Sequence, residues 1–239
     1  MKIIRNKIQA IAENDSFLTK KTLKRDNLIL LLCLSFFIFI PPFLKFPELN
    51  NLIFDILLSL LIITGITSLK FRKEKFIRLS YFGLLTVILI WTNFFIDSPI
   101  TNLVTFIVLI LFLIYITYSM IYNVARNEKI TPILVLNAIN SYLLMGIIGS
   151  FLFILSNFGY KFIFGISNET INFGYTNDPI YFDYIYFGFI TLTTVGYGDA
   201  TPAVPLTKSI AMFVSLSGQL YLAILVAMLV GKFLSKSKS

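Results

Sequence analysis

Long apolar stretches separated by short polar segments make up most of the chain. A helix needs about 20 apolar residues to cross the roughly 30 Å hydrocarbon layer of a membrane. Six stretches reach about that length: residues 28–46, 51–69, 79–96, 100–122, 132–156 and 209–231. The pattern therefore predicts six membrane-spanning helices.

A seventh apolar stretch, from Pro179 to Thr193, is too short to cross a membrane and is followed by a glycine-rich segment. Irregular backbone is tolerated at membrane depth only where protein or water surrounds it, so this stretch is predicted to enter the membrane and turn back. Asn177 or Asp178 is the expected N-cap of its helix, with Pro179 at the first helical position.

Composition supports a membrane protein and excludes several classes of enzyme. Hydrophobic residues make up 57% of the 239 residues and charged residues only 13%, against about 25% charged residues in soluble domains. The chain has no histidine and one cysteine, Cys33, which excludes His-dependent catalytic triads, His-ligated haem or zinc, cysteine-cluster metal sites and intramolecular disulfides. The acids within the apolar stretches form no cluster, and we expect neither enzymatic activity nor a bound cofactor.

The basic residues predict the orientation in the membrane. With six spans and a cytoplasmic N-terminus, 17 of the 20 Lys and Arg residues fall on the cytoplasmic side, as the positive-inside rule requires. The N- and C-termini are therefore expected in the cytoplasm of a multi-pass cell-membrane protein. The net charge of +8 then reflects topology, and no nucleic-acid partner is expected.

The segment after the short apolar stretch, residues 191–202, reads TLTTVGYGDATP. Backbone carbonyls can replace the hydration oxygens of a cation if several consecutive ones point at one axis. Gly196 and Gly198 accept the positive φ that this requires, Thr194 can add a hydroxyl oxygen, and the side chains of Val195 and Tyr197 then face away. The alternative is a tight glycine turn in a helical hairpin.

Thr194, Val195, Gly196, Tyr197 and Gly198 resemble the selectivity filter of the potassium channel superfamily. The resemblance implies an all-α membrane protein with six transmembrane helices, a re-entrant pore helix and a filter. It also implies assembly as a homotetramer that conducts K+ passively across the lipid bilayer. K+ would bind at Thr194, Val195, Gly196 and Tyr197. The implied organisation is a basic cytoplasmic segment at 1–26, a four-helix domain at 27–125, and a pore module at 130–239 with pore helix and filter at 179–199 and inner helix at 207–234.

Neighbouring residues take roles from the same resemblance. Asp199 is expected at the outer mouth, where it attracts cations, or else is an ordinary surface acid. Support of the filter is expected from Tyr186, Phe187 and Thr193. Many members have a Trp pair at the positions of Tyr186 and Phe187. The Tyr186 hydroxyl can still contact Asp199 and hold it in place. Ile190 stands where some members carry a carboxylate, so a carboxyl pairing behind the filter is excluded. Asp183 is expected to have a structural role at the start of the pore helix.

The last helix carries the candidate gate. Gly218 matches the hinge glycine of the family's inner helix, although a glycine there can equally serve close packing. Gln219, Leu222, Val226 and Val230 recur on one face and are expected to line the cavity, with the two valines as an apolar constriction. The alternative is a face toward lipid or toward another subunit.

The fourth apolar stretch has no Lys or Arg from Ile100 to Val124, so it cannot move charge across the membrane and we expect weak voltage dependence. Asp55, in the second stretch, is expected to be an interfacial or intersubunit residue rather than a sensor countercharge. Two alternatives stay open at this point: a poorly selective cation channel and a non-conducting channel-like membrane subunit.

Overall fold

A computed structural model describes residues 2–40, 47–69, 73–96, 98–127, 130–165, 170–176 and 178–237. Helices dominate this part of the chain, with one small antiparallel ribbon between the last long helices. The elements in chain order are α1 (Lys2–Phe39), α2 (Pro47–Thr67), α3 (Lys73–Phe95), α4 (Pro99–Arg126), α5 (Pro132–Phe164), β1 (Ile171–Phe173), α6 (Tyr181–Leu192), β2 (Ala200–Pro202) and α7 (Pro205–Ser237).

Four helices of the described residues are long and apolar enough to cross a membrane. They contain Glu74–Asn93, Pro99–Arg126, Pro132–Ile163 and Pro205–Leu234, which correspond to the last four predicted spans. The second predicted span is present as a shorter apolar helix, Asn51–Thr67, and the first extends into residues 41–46, which lie outside the described part. Six spans therefore remain a prediction.

Proline and glycine set the ends of the long helices. Pro99 and Pro132 occupy the first turns of α4 and α5, and the Thr131 side chain accepts a hydrogen bond from Leu134 N at 3.3 Å. Helix α5 continues past the predicted end at residue 156, because hydropathy limits the membrane-embedded part and not the helix. It stops at Gly165, whose φ of 63° is left-handed.

An aromatic cluster joins the first helices to α6, the helix predicted to be the pore helix. The Phe54 ring of α2 lies 4.5 Å from the Tyr181 ring, 5.5 Å from the Phe182 ring and 6.1 Å from the Phe151 ring. Phe37 of α1 lies 6.2 Å from Phe182. The hydrophobic core is therefore continuous from α1 and α2 to α5 and α6, and the position of α6 depends on helices outside the pore module.

Two fully buried asparagines hold α1 against its neighbours. Asn27 Nδ2 donates to Ser68 O at 2.8 Å, and Asn140 Nδ2 of α5 donates to Asn27 O at 3.0 Å. A buried amide bonded in this way is costly to remove, because its partners lose their hydrogen bonds in an apolar environment. These bonds fix the packing of α1 on α5.

The β ribbon is a feature that the sequence analysis did not predict. Strands β1 and β2 pair antiparallel with Phe173 opposite Ala200, and Gly174 N donates to Asp199 O at 2.7 Å. Thr170, which is fully buried, accepts from Ala203 N at 3.0 Å through its carbonyl. The loop after α5 is thereby fastened to the backbone that directly follows the candidate filter.

Candidate ion pathway

Helix α6, the predicted pore helix, begins at Tyr181 and has Ile180 as its N-cap. The prediction of Asp178 as the cap with Pro179 in the first turn is wrong, and the alternative cap, Asn177, lies outside the described residues. Asp183 explains the shift: its Oδ2 accepts a hydrogen bond from Ile180 N at 2.8 Å. A carboxylate three residues into a helix satisfies the free N–H group at the cap and suits the positive end of the helix dipole.

Asp183 also connects the helix to the loop that precedes it. Its Oδ1 accepts a hydrogen bond from Tyr175 Oη at 3.1 Å. Burial raises the pKa of the Asp183 carboxyl, and burial together with the Asp183 charge raises the pKa of Tyr175. The carboxylate thus joins the start of α6 to the loop by two hydrogen bonds, which agrees with a structural role.

The candidate filter has alternating backbone conformations. φ is 58° at Thr194, 49° at Gly196 and 86° at Gly198, whereas the residues between them have negative values. A strand of uniformly negative φ points successive carbonyls to opposite sides, whereas an alternation of positive and negative φ allows successive carbonyls to point to the same side. Positive φ was predicted at the two glycines. Thr194 was predicted as a filter residue, but its positive φ, two residues before Gly196, was not.

Backbone hydrogen bonds hold the inner half of this segment against the end of α6. Ile190 O accepts from Val195 N at 3.0 Å and from Gly196 N at 3.3 Å, and Thr191 O accepts from Thr194 N at 3.0 Å. Ile190 is the residue that stands where some superfamily members place a carboxylate. Here the backbone carbonyl of that residue, and not its side chain, holds the loop.

Tyr186 and Asp199 hold the outer end of the segment. Tyr186 Oη donates to Asp199 Oδ2 at 2.6 Å, which is the contact expected from the sequence, and Ala200 N donates to Asp199 Oδ1 at 3.1 Å. The hydrogen bond to the carboxylate is the main reason that the pKa of Tyr186 rises to about 12. Phe187 is buried instead against Phe153, with ring centroids 4.6 Å apart, and so packs α6 on α5.

Tyr186→Phe is expected to weaken the outer end of the filter. A hydrogen bond to a charged group is worth about 1.5–3 kcal/mol when buried and about 1 kcal/mol or less when exposed, and Asp199 is exposed. We expect the thermal midpoint of the purified protein to fall by a few degrees and K+ flux into liposomes to fall severalfold. Tyr118→Phe, at an exposed tyrosine of α4, is the matched control. Identical melting and flux in the two variants would contradict this role of Tyr186.

Polar side chains of α7 contact the inner end of the segment. Gln219 Nε2 donates to Thr194 Oγ1 at 3.0 Å, and Ser215 Oγ donates to Thr191 O at 3.0 Å. Thr193 Oγ1 turns back to Phe189 O at 2.7 Å. The structure therefore places Gln219 in contact with Thr194, whereas the sequence predicted only that Gln219 lies on the cavity face. The contact of Ser215, one turn before Gln219, was not predicted.

Gly218 lies where α7 crosses the end of α6. A Cβ atom at this position would collide with Leu192 O and lie 3.0 Å from Leu192 Cδ1. This contact favours close packing as a role of Gly218, and its role as a hinge stays a prediction.

Several apolar side chains of the filter and α7 have little covering within one chain. Val195 is 52% exposed and Tyr197 is 74% exposed, so nothing in the described part of the chain packs closely around them. Helix α7 also exposes most of its large hydrophobic side chains. Among them are Leu222, Val226 and Val230 of the predicted cavity face. The other exposed ones include Met212, Phe213, Leu216, Leu220, Ile224, Phe233 and Leu234. These faces are available to lipid, to a pore or to other subunits.

The far end of α7 contacts the end of α4. Lys232 Nζ donates to Val124 O at 2.6 Å, where a helix C-terminus presents free carbonyls. Beside it, Val124, Leu134 and Ala138 pack against Leu225, Met228 and Leu229. The segment that contains Val226 and Val230 is therefore in direct contact with the end of α4 and the first turns of α5.

Comparison with known proteins identifies part of the chain. Residues 141–235 match the family model described as an ion channel. A stretch of 32 residues is 56% identical to a protein of Plasmodium berghei (strain Anka) named potassium channel K1, covering 13% of this chain and 2% of that protein. No solved structure matches the chain. The family match contains α6, the candidate filter and most of α7, and it indicates a transport protein rather than an enzyme.

Proposed function

We propose that this chain, a member of the potassium channel superfamily through its ion channel domain at residues 141–235, is one subunit of a homotetrameric, potassium-selective channel. The channel conducts K+ passively through the filter Thr194–Gly198 and lies in the cell membrane with both termini in the cytoplasm. The alternation of positive φ at Thr194, Gly196 and Gly198 carries this proposal, because it turns a row of carbonyl oxygens toward one side.

A tetramer is proposed because a single chain cannot form a complete coordination shell around an ion. One filter segment supplies only one side of a coordination shell, and closed rings of identical subunits are the usual way to complete it. The exposure of Val195 and Tyr197 supports this, since neighbouring subunits would cover these side chains. Much of the exposed surface of α7 would likewise face the central axis or an adjacent subunit.

Helix α6 adds an electrostatic contribution. Its last residue, Leu192, precedes Thr194 by two, so the negative end of its dipole lies at the inner end of the filter. Four such helices around one axis would favour a cation at the centre. Asp199 at the opposite end would attract cations to the outer mouth, held in place by Tyr186.

Ion flux in liposomes tests the function directly. We expect purified protein to carry K+ down its gradient, with a Na+ flux at least an order of magnitude lower. We also expect a nearly linear current–voltage relation in planar bilayers, because α4 has no basic residue from Ile100 to Val124. Equal Na+ and K+ flux would support a poorly selective channel instead. No flux from a correctly assembled tetramer would support a non-conducting subunit, and a steep voltage dependence would contradict the gating expectation.

Val230→Asp is expected to raise the resting conductance severalfold. Val226 and Val230 would form an apolar constriction around the axis that closes when water leaves it. A carboxylate at position 230 is hydrated and retains water in the constriction. Single-channel open probability at rest is the measurement. Val230→Leu keeps the site apolar and is expected to leave open probability low; an unchanged open probability in Val230→Asp would exclude a gate here.

A further inference from the structure

A cavity of about 450 Å³ lies outside the ion pathway, among helices α2, α3, α4 and α5 and the start of the pore helix. Its volume is within the range of about 300–1,000 Å³ that is usual for small-molecule sites. Tyr181, the first residue of α6, forms part of its wall. The ion pathway proposed above does not use this space.

The polar side chains that line the cavity include one carboxylate and one unpaired amide oxygen. Asp55 of α2 is half-buried in its wall, and Asn93 Oδ1 of α3 is buried with no hydrogen-bond partner among the described residues. Asn51 of α2 and Asn102 and Thr105 of α4 also line the cavity, and no residue of this lining is basic. A nearby positive charge stabilises a half-buried carboxylate, and a buried amide oxygen without a hydrogen-bond donor is costly.

Four aromatic side chains also line the cavity. Phe54 stacks on Tyr181 with ring centroids 4.5 Å apart, and Phe106 stacks on Phe158 at 5.7 Å. Phe106 and Tyr181 lie 5.9 Å apart, so the two pairs form one wall. Aromatic faces attract cations and also bind apolar groups, which a hydrated metal ion lacks.

We propose that this cavity binds a small organic ammonium ion. Its charge pairs with Asp55, its N–H groups donate to Asn93 Oδ1, and its apolar part lies on the aromatic wall. A divalent metal ion fits poorly, because it prefers six or more oxygen ligands and the cavity offers one carboxylate beside four aromatic rings. Through Tyr181 the bound ion also contacts the pore helix.

Calorimetric titration with benzylammonium tests the proposal on the full-length protein in detergent. We expect Asp55→Asn to raise the Kd for benzylammonium at least tenfold, and Asn93→Leu to raise it severalfold. Benzyl alcohol, which has the same ring without the charge, is expected to bind wild type and Asp55→Asn equally weakly. Asp199→Asn changes the outer mouth of the filter and is expected to leave the Kd unchanged, which separates this site from binding at the pore.

Two outcomes would overturn the proposal. The first is an equal Kd in wild type and Asp55→Asn. The second is binding that depends on Asp199 and not on Asp55, which would place the ammonium at the filter. Thermal melting checks the folding of each variant, and Asn93→Leu carries the test if Asp55→Asn does not fold.

Discussion

Gly196→Ala is expected to reduce K+ flux in liposomes to the level of empty vesicles. Gly196 has φ 49°, and a side chain in the left-handed region costs about 1–2 kcal/mol per residue. In a tetramer this strain occurs four times, at the residue whose conformation keeps the carbonyls on one side. We expect the backbone to relax to negative φ and to turn a ring of carbonyls away from the axis.

Gly165→Ala is the matched control for Gly196→Ala. Gly165 also has a left-handed φ, 63°, and a Cβ at either position would meet nothing within 4 Å in the chain. It ends α5 and lies outside the filter, so the variant carries the same local strain without changing the candidate coordination. We expect Gly165→Ala to conduct nearly as well as wild type; equal flux in Gly196→Ala and wild type would defeat the proposed function.

Gly218→Ala is expected to destabilise the protein and to reduce K+ flux at least tenfold. The new Cβ would press on Leu192 O and lie 3.1 Å from the Leu192 carbonyl carbon. This carbonyl is backbone at the end of α6 and cannot move aside without moving the inner end of the filter. Overpacking of this kind typically costs about 1–3 kcal/mol.

Gly231→Ala, on the same helix, is the control for Gly218→Ala. It separates the contact of position 218 with Leu192 from the effect that alanine has on any helix. A Cβ at Gly231 meets nothing within 4 Å, and alanine is favoured over glycine in a helix by about 1 kcal/mol. We expect Gly231→Ala to melt at or above the wild-type temperature, and Gly218→Ala to melt below it. A Gly218→Ala variant with wild-type melting and altered open probability would instead support a hinge at Gly218.

The helices were predictable because their signals are local. Runs of apolar residues locate α3, α4, α5 and α7, and Pro99, Pro132 and Gly165 lie at their ends. The exact ends of these helices were harder to predict, because a helix continues beyond its apolar part as long as its backbone hydrogen bonds are made. Helix α6 begins at Tyr181 since Asp183 caps it, and nothing in the spacing of Asp178 and Pro179 excludes the earlier start.

Contacts between distant residues explain what the sequence did not reveal about the site. The left-handed φ was predictable at Gly196 and Gly198 because glycine tolerates it, but Thr194 adopts it only through its bonds to the end of α6 and to Gln219. The bond between Tyr186 and Asp199 was predictable from a family resemblance. The β ribbon was not, because three-residue strands carry too little pattern to be recognised.

The ribbon between β1 and β2 also has a consequence for folding. The pairing of Phe173 with Ala200 closes a loop that contains the whole of α6 and the candidate filter. The entropy cost of closing a loop grows only slowly with its length, so a segment of this size can close early. Contacts that are near in sequence form faster than distant ones. The candidate filter segment can therefore take shape within one chain, before the subunits of the proposed tetramer assemble.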